Sequence, residues 1–256
     1  MPYRRYLRAV NDKFGFLATW LPNQKITLGD IGTLEKGVFR RHDSLAALGY
    51  EIEEDSSGVA VDFDHSSASS IAFSAGGRAD AGAPGLGGVE AASARIDFSE
   101  SGGFVLRAAG CVEHSLASRA ALERAIFDAR ANGIWRDDWV VVDGLYVADG
   151  LTIVVCSSSS GSVTLSAKAG AGVGPFDIAR ADLGVSVSAW TGDITKVVAA
   201  GGLTPMFSAT RLRTGFFVGD RIDTASLPRL KEIGAGRGPD PRDVVTVSVQ
   251  DALGEA

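Results

Sequence analysis

Val59-Ala60-Val61-Asp62-Phe63-Asp64-His65, followed after Ser66-Ser67-Ala68-Ser69-Ser70 by Ile71-Ala72-Phe73-Ser74, decides how this chain is read. Apolar residues recur at every second position, with small or charged residues between them, which is the period of a strand having one oily and one polar face. Residues 57–108 and 151–190 both carry this alternation, interrupted by Gly, Ser and Ala instead of ending cleanly. A sheet segment of this kind is either half-buried in a globular domain or part of a membrane barrel.

Working outward, strands are expected near 58–64, 69–75, 90–99 and 103–109, with a glycine-rich link over 76–88 that has little to pack. The second stretch reads as a hairpin, 151–156 returning as 162–168 through Ser157-Ser158-Ser159-Ser160-Gly161, followed by Val185, Val187 and Ala189 alternating with serines up to Trp190. Between the stretches, 118–132 has the spacing of an amphipathic helix. Ala121, Leu122, Ala125, Ile126 and Ala129 share a stripe, Ser118 is placed to cap it, and Gly133 to stop it. Trp139 to Val142 then lead into a strand, continued by Tyr146 and Val147.

The N-terminal region differs in charge. Residues 1–41 hold eight basic residues against Asp12, Asp30 and Glu35, although the whole chain of 256 residues carries a net charge of −6. A helix over 2–13 puts Tyr3, Tyr6, Leu7 and Val10 on one stripe and Arg4, Arg5, Arg8 and Lys13 largely on the other. Residues 42–100 reverse the balance, notably at Glu51, Glu53, Glu54 and Asp55. Basic clusters attract anionic lipid head groups or nucleic acid, and acidic runs repel both. Residues 16–20, 25–28 and 45–53 read as further strands, the Pro22-Asn23 pair and Asp55-Ser56-Ser57-Gly58 as turns, and 245–249 as a last short alternating segment.

Length and composition describe an ordinary globular chain expected to fold as one domain. No apolar run is long enough for a transmembrane helix, and the charged start does not read as a secretory signal, so synthesis for the cytoplasm is expected. Cys111 and Cys156 lie in apolar contexts and are expected to be buried thiols. Nothing matches a nucleophile elbow, a phosphate loop or a paired-histidine helix. The groups Gly170-Ala171-Gly172-Val173-Gly174 and Gly234-Ala235-Gly236-Arg237-Gly238 miss the dinucleotide spacing, His42, His65 and His114 are scattered, and Asp62 with Asp64 share one strand face. No catalytic residue, metal ligand or cofactor is assigned, and the chain is read as a non-enzyme.

The order of a basic N-terminal helix, the segment Lys25-Ile26-Thr27-Leu28-Gly29-Asp30-Ile31, an amphipathic strand region, the helix at 118–132 and a second strand region at 151–190 resembles the pore-forming domain of the gasdermins, particularly the compact bacterial members, over roughly 1–215. The resemblance implies an α+β fold, a twisted and mostly antiparallel sheet with helices around it. It implies a pore-forming domain over 1–233, followed over 234–256 by a linker and a short restraining tail, with Arg237 and Arg242 as candidate protease-cleavage positions. By the same resemblance Arg4, Arg5, Arg8 and Lys13 contact anionic lipid, and 57–108 and 151–190 become membrane hairpins. The resemblance further implies a cytoplasmic monomeric precursor, an activating protease that releases it, copies that oligomerise in the cell inner membrane, and no nucleic-acid partner. Two features depart from the family. Compact members carry a lipid-modified cysteine near the N-terminus, whereas the first cysteine here is Cys111, and the acidic run 51–55 is ill suited to an anionic surface. Two other readings stay open, a β-rich module that binds a ligand or partner, and an enzyme with a diffuse site around Asp62, Asp64 or His114.

Overall fold

A computed structural model describes residues 3–20, 25–67, 70–76, 93–166, 186–213, 221–223, 244–248 and 252–253. The helices are α1 (Tyr3–Phe14) and α2 (Arg119–Ala131). The strands are β1 (Leu17–Ala18), β2 (Asp30–Glu35), β3 (Val38–Ser44), β4 (Glu54–Ser66), β5 (Ile71–Gly76), β6 (Ser93–Phe98), β7 (Phe104–Leu116), β8 (Val140–Cys156), β9 (Gly161–Ser166), β10 (Ser186–Thr191), β11 (Ile194–Arg213), β12 (Arg221–Asp223) and β13 (Val244–Thr246). One sheet runs β12-β13-β11-β8-β2-β3, with β1 also on β11, and with β7 joined to both β8 and β4. A second sheet runs β10-β9-β6-β5. Apart from the parallel pair β12–β13, the strand pairs with an assigned register are antiparallel, so the fold is α+β with mostly antiparallel sheets.

The chain divides into two compact units, each assembled from three separate stretches. The first comprises Met1–Tyr6, Ala60–Cys111 and Val147–Leu203, and the second Leu7–Val59, Val112–Tyr146 and Thr204–Ala256.

In the second unit, β2 and β3 form a hairpin whose two-residue turn, Lys36-Gly37, has φ of 54° and 83°. Both central residues are left-handed, the geometry that matches the twist of the flanking strands. Helix α2 follows its periodicity. Ser118 Oγ accepts the Ala121 N–H at 3.2 Å, Gly133 at φ 69° ends the helix, and Leu122, Ala125, Ile126 and Ala129 are buried. They pack with Ile31, Leu45, Trp135, Val141 and Leu212 into one core, each fully buried aliphatic side chain contributing about 1.5–3 kcal/mol.

Two expected strands are absent here. Residues 25–28 are irregular because the Asp30 carboxylate, buried and paired with Arg41 at 2.9 Å, accepts both the Thr27 N–H (2.9 Å) and its hydroxyl (2.8 Å), drawing that segment into a turn. Residues 45–49 form turns, closed by Leu48 N–H to Ser44 O and Tyr50 N–H to Leu45 O, and the strand starts only at Glu54. The expected turn at Asp55–Gly58 falls within β4, which pairs with β7, and only Gly58, at φ 64°, departs to the left-handed region.

In the first unit the second sheet lies over strands of the first. Its register places Phe73 opposite Ile96, and Ile96 opposite Val163, while Ala94 and Leu165 are likewise paired. These side chains share a face, and with Phe98 they pack against Val105, Val154 and Cys156. The opposite face carries the ion pair Arg95–Asp97 (2.8 Å) and small polar residues. The expected hairpin 151–156/162–168 does not form, because β8 and β9 belong to different sheets. Strand β9 takes its ladder partners from β6 and β10, leaving Val163 and Leu165 in the core that also holds Val154. The two strand segments expected between 139 and 156 are one strand, β8. Both cysteines are buried and free.

Candidate functional site

Helix α1 has the two faces its sequence predicts. Tyr6, Leu7 and Val10 are buried, while Arg5, Arg8 and Lys13 are exposed and Arg4 is half-buried. The Tyr6 ring meets Phe104 edge-on at 5.5 Å, and burial pushes its phenol well above the ordinary tyrosine range. Phe104 also carries His65 against its edge at 5.2 Å. Arg5 Nη1 pairs with Glu100 at 3.1 Å. Of the four basic residues read as lipid contacts, three are exposed, Arg5 among them although it is paired with Glu100, and Arg4 is half-buried.

The two alternating stretches have the same layout. Between β4 and β7 the chain inserts β5 and β6, and between β8 and β11 it inserts β9 and β10. The four inserted strands make up the second sheet. The insertion roots are joined to each other. Gly102 N–H donates to Cys156 O at 2.7 Å, Cys156 N–H to Gly103 O at 2.8 Å, and Ser101 Oγ to Ser157 O at 2.7 Å.

Alternation keeps one phase through three of the four strand–insert junctions. Odd positions are apolar in β4 (Val59, Val61, Phe63) and again in β5 (Ile71, Phe73). Even positions are apolar in β6 (Ala94, Ile96, Phe98) and in β7 (Phe104, Leu106, Ala108). Odd positions are apolar in β8 (Leu151, Ile153, Val155) and in β9 (Val163, Leu165), although Val154 and Cys156 make the other face of β8 apolar as well. In the present fold the halves of a run serve different packing. Ile96 and Phe98 fill the space between the sheets, whereas Phe104 meets Tyr6 and His65. Drawn out as one strand, each run would put both halves on a single face. The fourth run departs from this, since Val187 and Ala189 are out of phase with Trp190, Ile194 and Val198, and the β10–β9 register shifts between Val187 and Ala189. Strand β4 also leaves Val59 and Val61 66% and 40% exposed.

Three of the other candidates engage neighbouring groups. Asp62 Oδ1 accepts the Gly110 N–H at 2.8 Å, and Asp64 pairs with Arg107 at 3.0 Å, whose guanidinium lies 5.2 Å from the Phe73 ring centre. His42 Nε2 is 3.0 Å from Thr33 Oγ1. No group of three His, Cys, Asp or Glu side chains is arranged to hold a metal among the described residues. Arg237, Arg242, both glycine clusters and most of the 76–88 link lie outside the described residues. The segment beyond them enters the second unit's sheet. Thr246 pairs with Thr210 and Val245 with Arg211, Val247 N–H donates to Ala209 O, and Ala252 O accepts from Gly37 N–H.

No family model matches this chain, and no curated protein matches it. Among solved structures, the cryo-EM structure of the gasdermin A3 membrane pore is similar at a TM-score of 0.36 and 11% identity, over 84% of this chain and 91% of that one. At that distance the likeness fixes neither family nor activity. No helix of the described residues is long and apolar enough to cross a membrane, which leaves strands unaddressed.

The sequence reading missed Glu100 as the partner of Arg5, since nothing in the spacing links positions so far apart. The shared phase of the strand halves was there to be found, by tracking odd and even positions across the serine and glycine interruptions.

Proposed function

We propose that this chain is a pore-forming protein of the gasdermin type, made as a restrained precursor. Proteolysis within 234–243 frees it from the tail, helix α1 engages anionic lipid through Arg5, Arg8, Lys13 and Arg4, and the strand–insert runs straighten into two membrane hairpins. Copies then close a β-barrel in the cell inner membrane, and the cell dies. A bilayer offers no partners to backbone groups, so a spanning strand must pair on both edges, which requires the assembly.

The observation that supports this reading is the phase of alternation, kept through three of the four strand–insert junctions. Each in-phase run is longer than the 9–11 or so residues a tilted membrane strand needs, and its apolar side chains, divided between two packing faces in the folded chain, would form one lipid-facing row. Most of these side chains are already buried and would exchange protein packing for lipid, so the area moved out of water, at about 25 cal/mol per Å², is that of the exposed Val59 and Val61 in each copy. No catalytic group is required.

The test is dye release from vesicles. Chain cleaved within 234–243, with the tail removed, is expected to empty phosphatidylglycerol-rich vesicles, to spare phosphatidylcholine vesicles, and to lose activity when Arg4, Arg5 and Arg8 are changed together to Glu. Intact anionic vesicles in the presence of verified, folded, tail-free chain would sink the proposal.

A further inference from the structure

Within the second unit, strands β7, β8 and β11 and helix α2 enclose a half-open cleft of about 420 Å³ that pore formation does not use. The size is within the range of small-molecule sites, on the order of 300–1,000 Å³. Its apolar lining is Phe16, Leu116 and Leu122, with the Tyr146 ring meeting Phe16 edge-on at 5.0 Å. Its charged lining is Glu113, Asp143 and Arg119.

The carboxylates are in different states. Asp143, with its side chain 15% exposed, is already engaged: Ser208 Oγ donates to Oδ1 at 2.6 Å, Thr210 Oγ1 donates to Oδ2 at 2.5 Å, and Arg119 Nη1 lies 3.9 Å from Oδ2. Arg119 is shared with Glu123, at 3.2 Å from Nε, so its charge is largely spent. Glu113 accepts the Tyr146 hydroxyl on Oε2 at 2.8 Å, and its Oε1 has no partner among the described residues. Glu113 is half-buried beside two aromatic rings, and Oε1, open to the cleft, can accept from a bound donor. The cleft carries a net negative charge, which disfavours anions.

We infer that this cleft binds a small primary ammonium compound, a short alkyl diamine being the best match, with one ammonium donating to Glu113 Oε1. The ammonium would lie against the Phe16 and Tyr146 rings, which attract cations, and its methylenes would run along Leu116 and Leu122. The second amine would reach the hydroxyls of Ser208 and Thr246 beside Asp143, also part of the lining. A charge-assisted bond to a partly buried carboxylate outweighs a neutral one, so the carboxylate charge, more than the cleft's shape, should set affinity.

Calorimetric titration of the full chain with putrescine tests this directly. One saturable site is expected, with affinity about tenfold lower in Glu113→Gln, which keeps the acceptor for Tyr146 but loses the charge. Tetramethylammonium, which has no N–H to donate, should bind at least tenfold more weakly than the diamine. Phe16→Leu, which keeps the wall apolar without its ring, should weaken binding severalfold, and it serves as the second variant if Glu113→Gln does not fold. Absence of a saturable site, equal affinity of Glu113→Gln and the unaltered chain, or equal affinity for the two cations would each overturn the inference. Vesicle leakage is not part of this readout, so failure here leaves the pore proposal standing, and the converse holds.

Discussion

Tyr6 shows how one side chain links stability to pH. It is fully buried against Phe104, and its phenol is held well above the ordinary range by loss of hydration. A raised folded value means the neutral form is favoured in the folded chain, so the associated stability is complete below the unfolded value near pH 10 and declines as pH rises beyond it. Urea unfolding of the intact chain from about pH 9 to about pH 12 should show a falling midpoint, and Tyr6→Phe should flatten that fall while keeping the ring contact. An unchanged slope in the variant would place the alkaline sensitivity elsewhere.

At the level of elements, α1 and α2 were readable because a 3.6-residue stripe and its caps are local signals. The strands were readable as strands for the same reason, but their partners were not. Asp55-Ser56-Ser57-Gly58 has turn chemistry yet lies within β4 because that strand pairs with β7, and the local preference survives only as the left-handed Gly58. The segments read separately over 139–147 and 151–156 are likewise one strand, β8, which runs through Gly144 and Gly150. The pair Arg5–Glu100 belongs to this scale too, because it ties α1 to the connection between β6 and β7. Both side chains are about half exposed, so Glu100→Gln should change folding stability by less than about 1 kcal/mol. Freeing one arginine adds about 1 kcal/mol toward an anionic surface, roughly a fivefold gain in partition. Sedimentation with phosphatidylglycerol vesicles at low salt measures it, and unchanged partition would show that Arg5 does not face the lipid.

For the molecule as a whole, the paired-insertion layout was only half visible. Alternation announced two unusual stretches, but not that their inserted strands would assemble into one sheet, because ladder partners far apart in sequence leave no local trace. The candidate site was legible to a similar degree. The basic face of α1 followed from spacing, whereas the carboxylate facing it and the cleft around Glu113 arise from long-range folding. The exposed valines of β4 separate the folded form from the proposed membrane form. Val61→Lys should hardly disturb the folded chain, since that position is 40% exposed. In a lipid-facing row the same lysine costs about 2–4 kcal/mol at mid-membrane. Tail-free Val61→Lys should therefore keep its melting temperature and lose most dye release; full release by this variant would remove β4 from the barrel wall.

Strand β13 has a kinetic corollary. Because Val244–Thr246 is hydrogen-bonded into the sheet on β11, a cut upstream severs the covalent link without dislodging the peptide. A nicked chain would stay dormant until that strand peels away, so scission and awakening would follow separate clocks, the slower one set by the ladder and not by the protease.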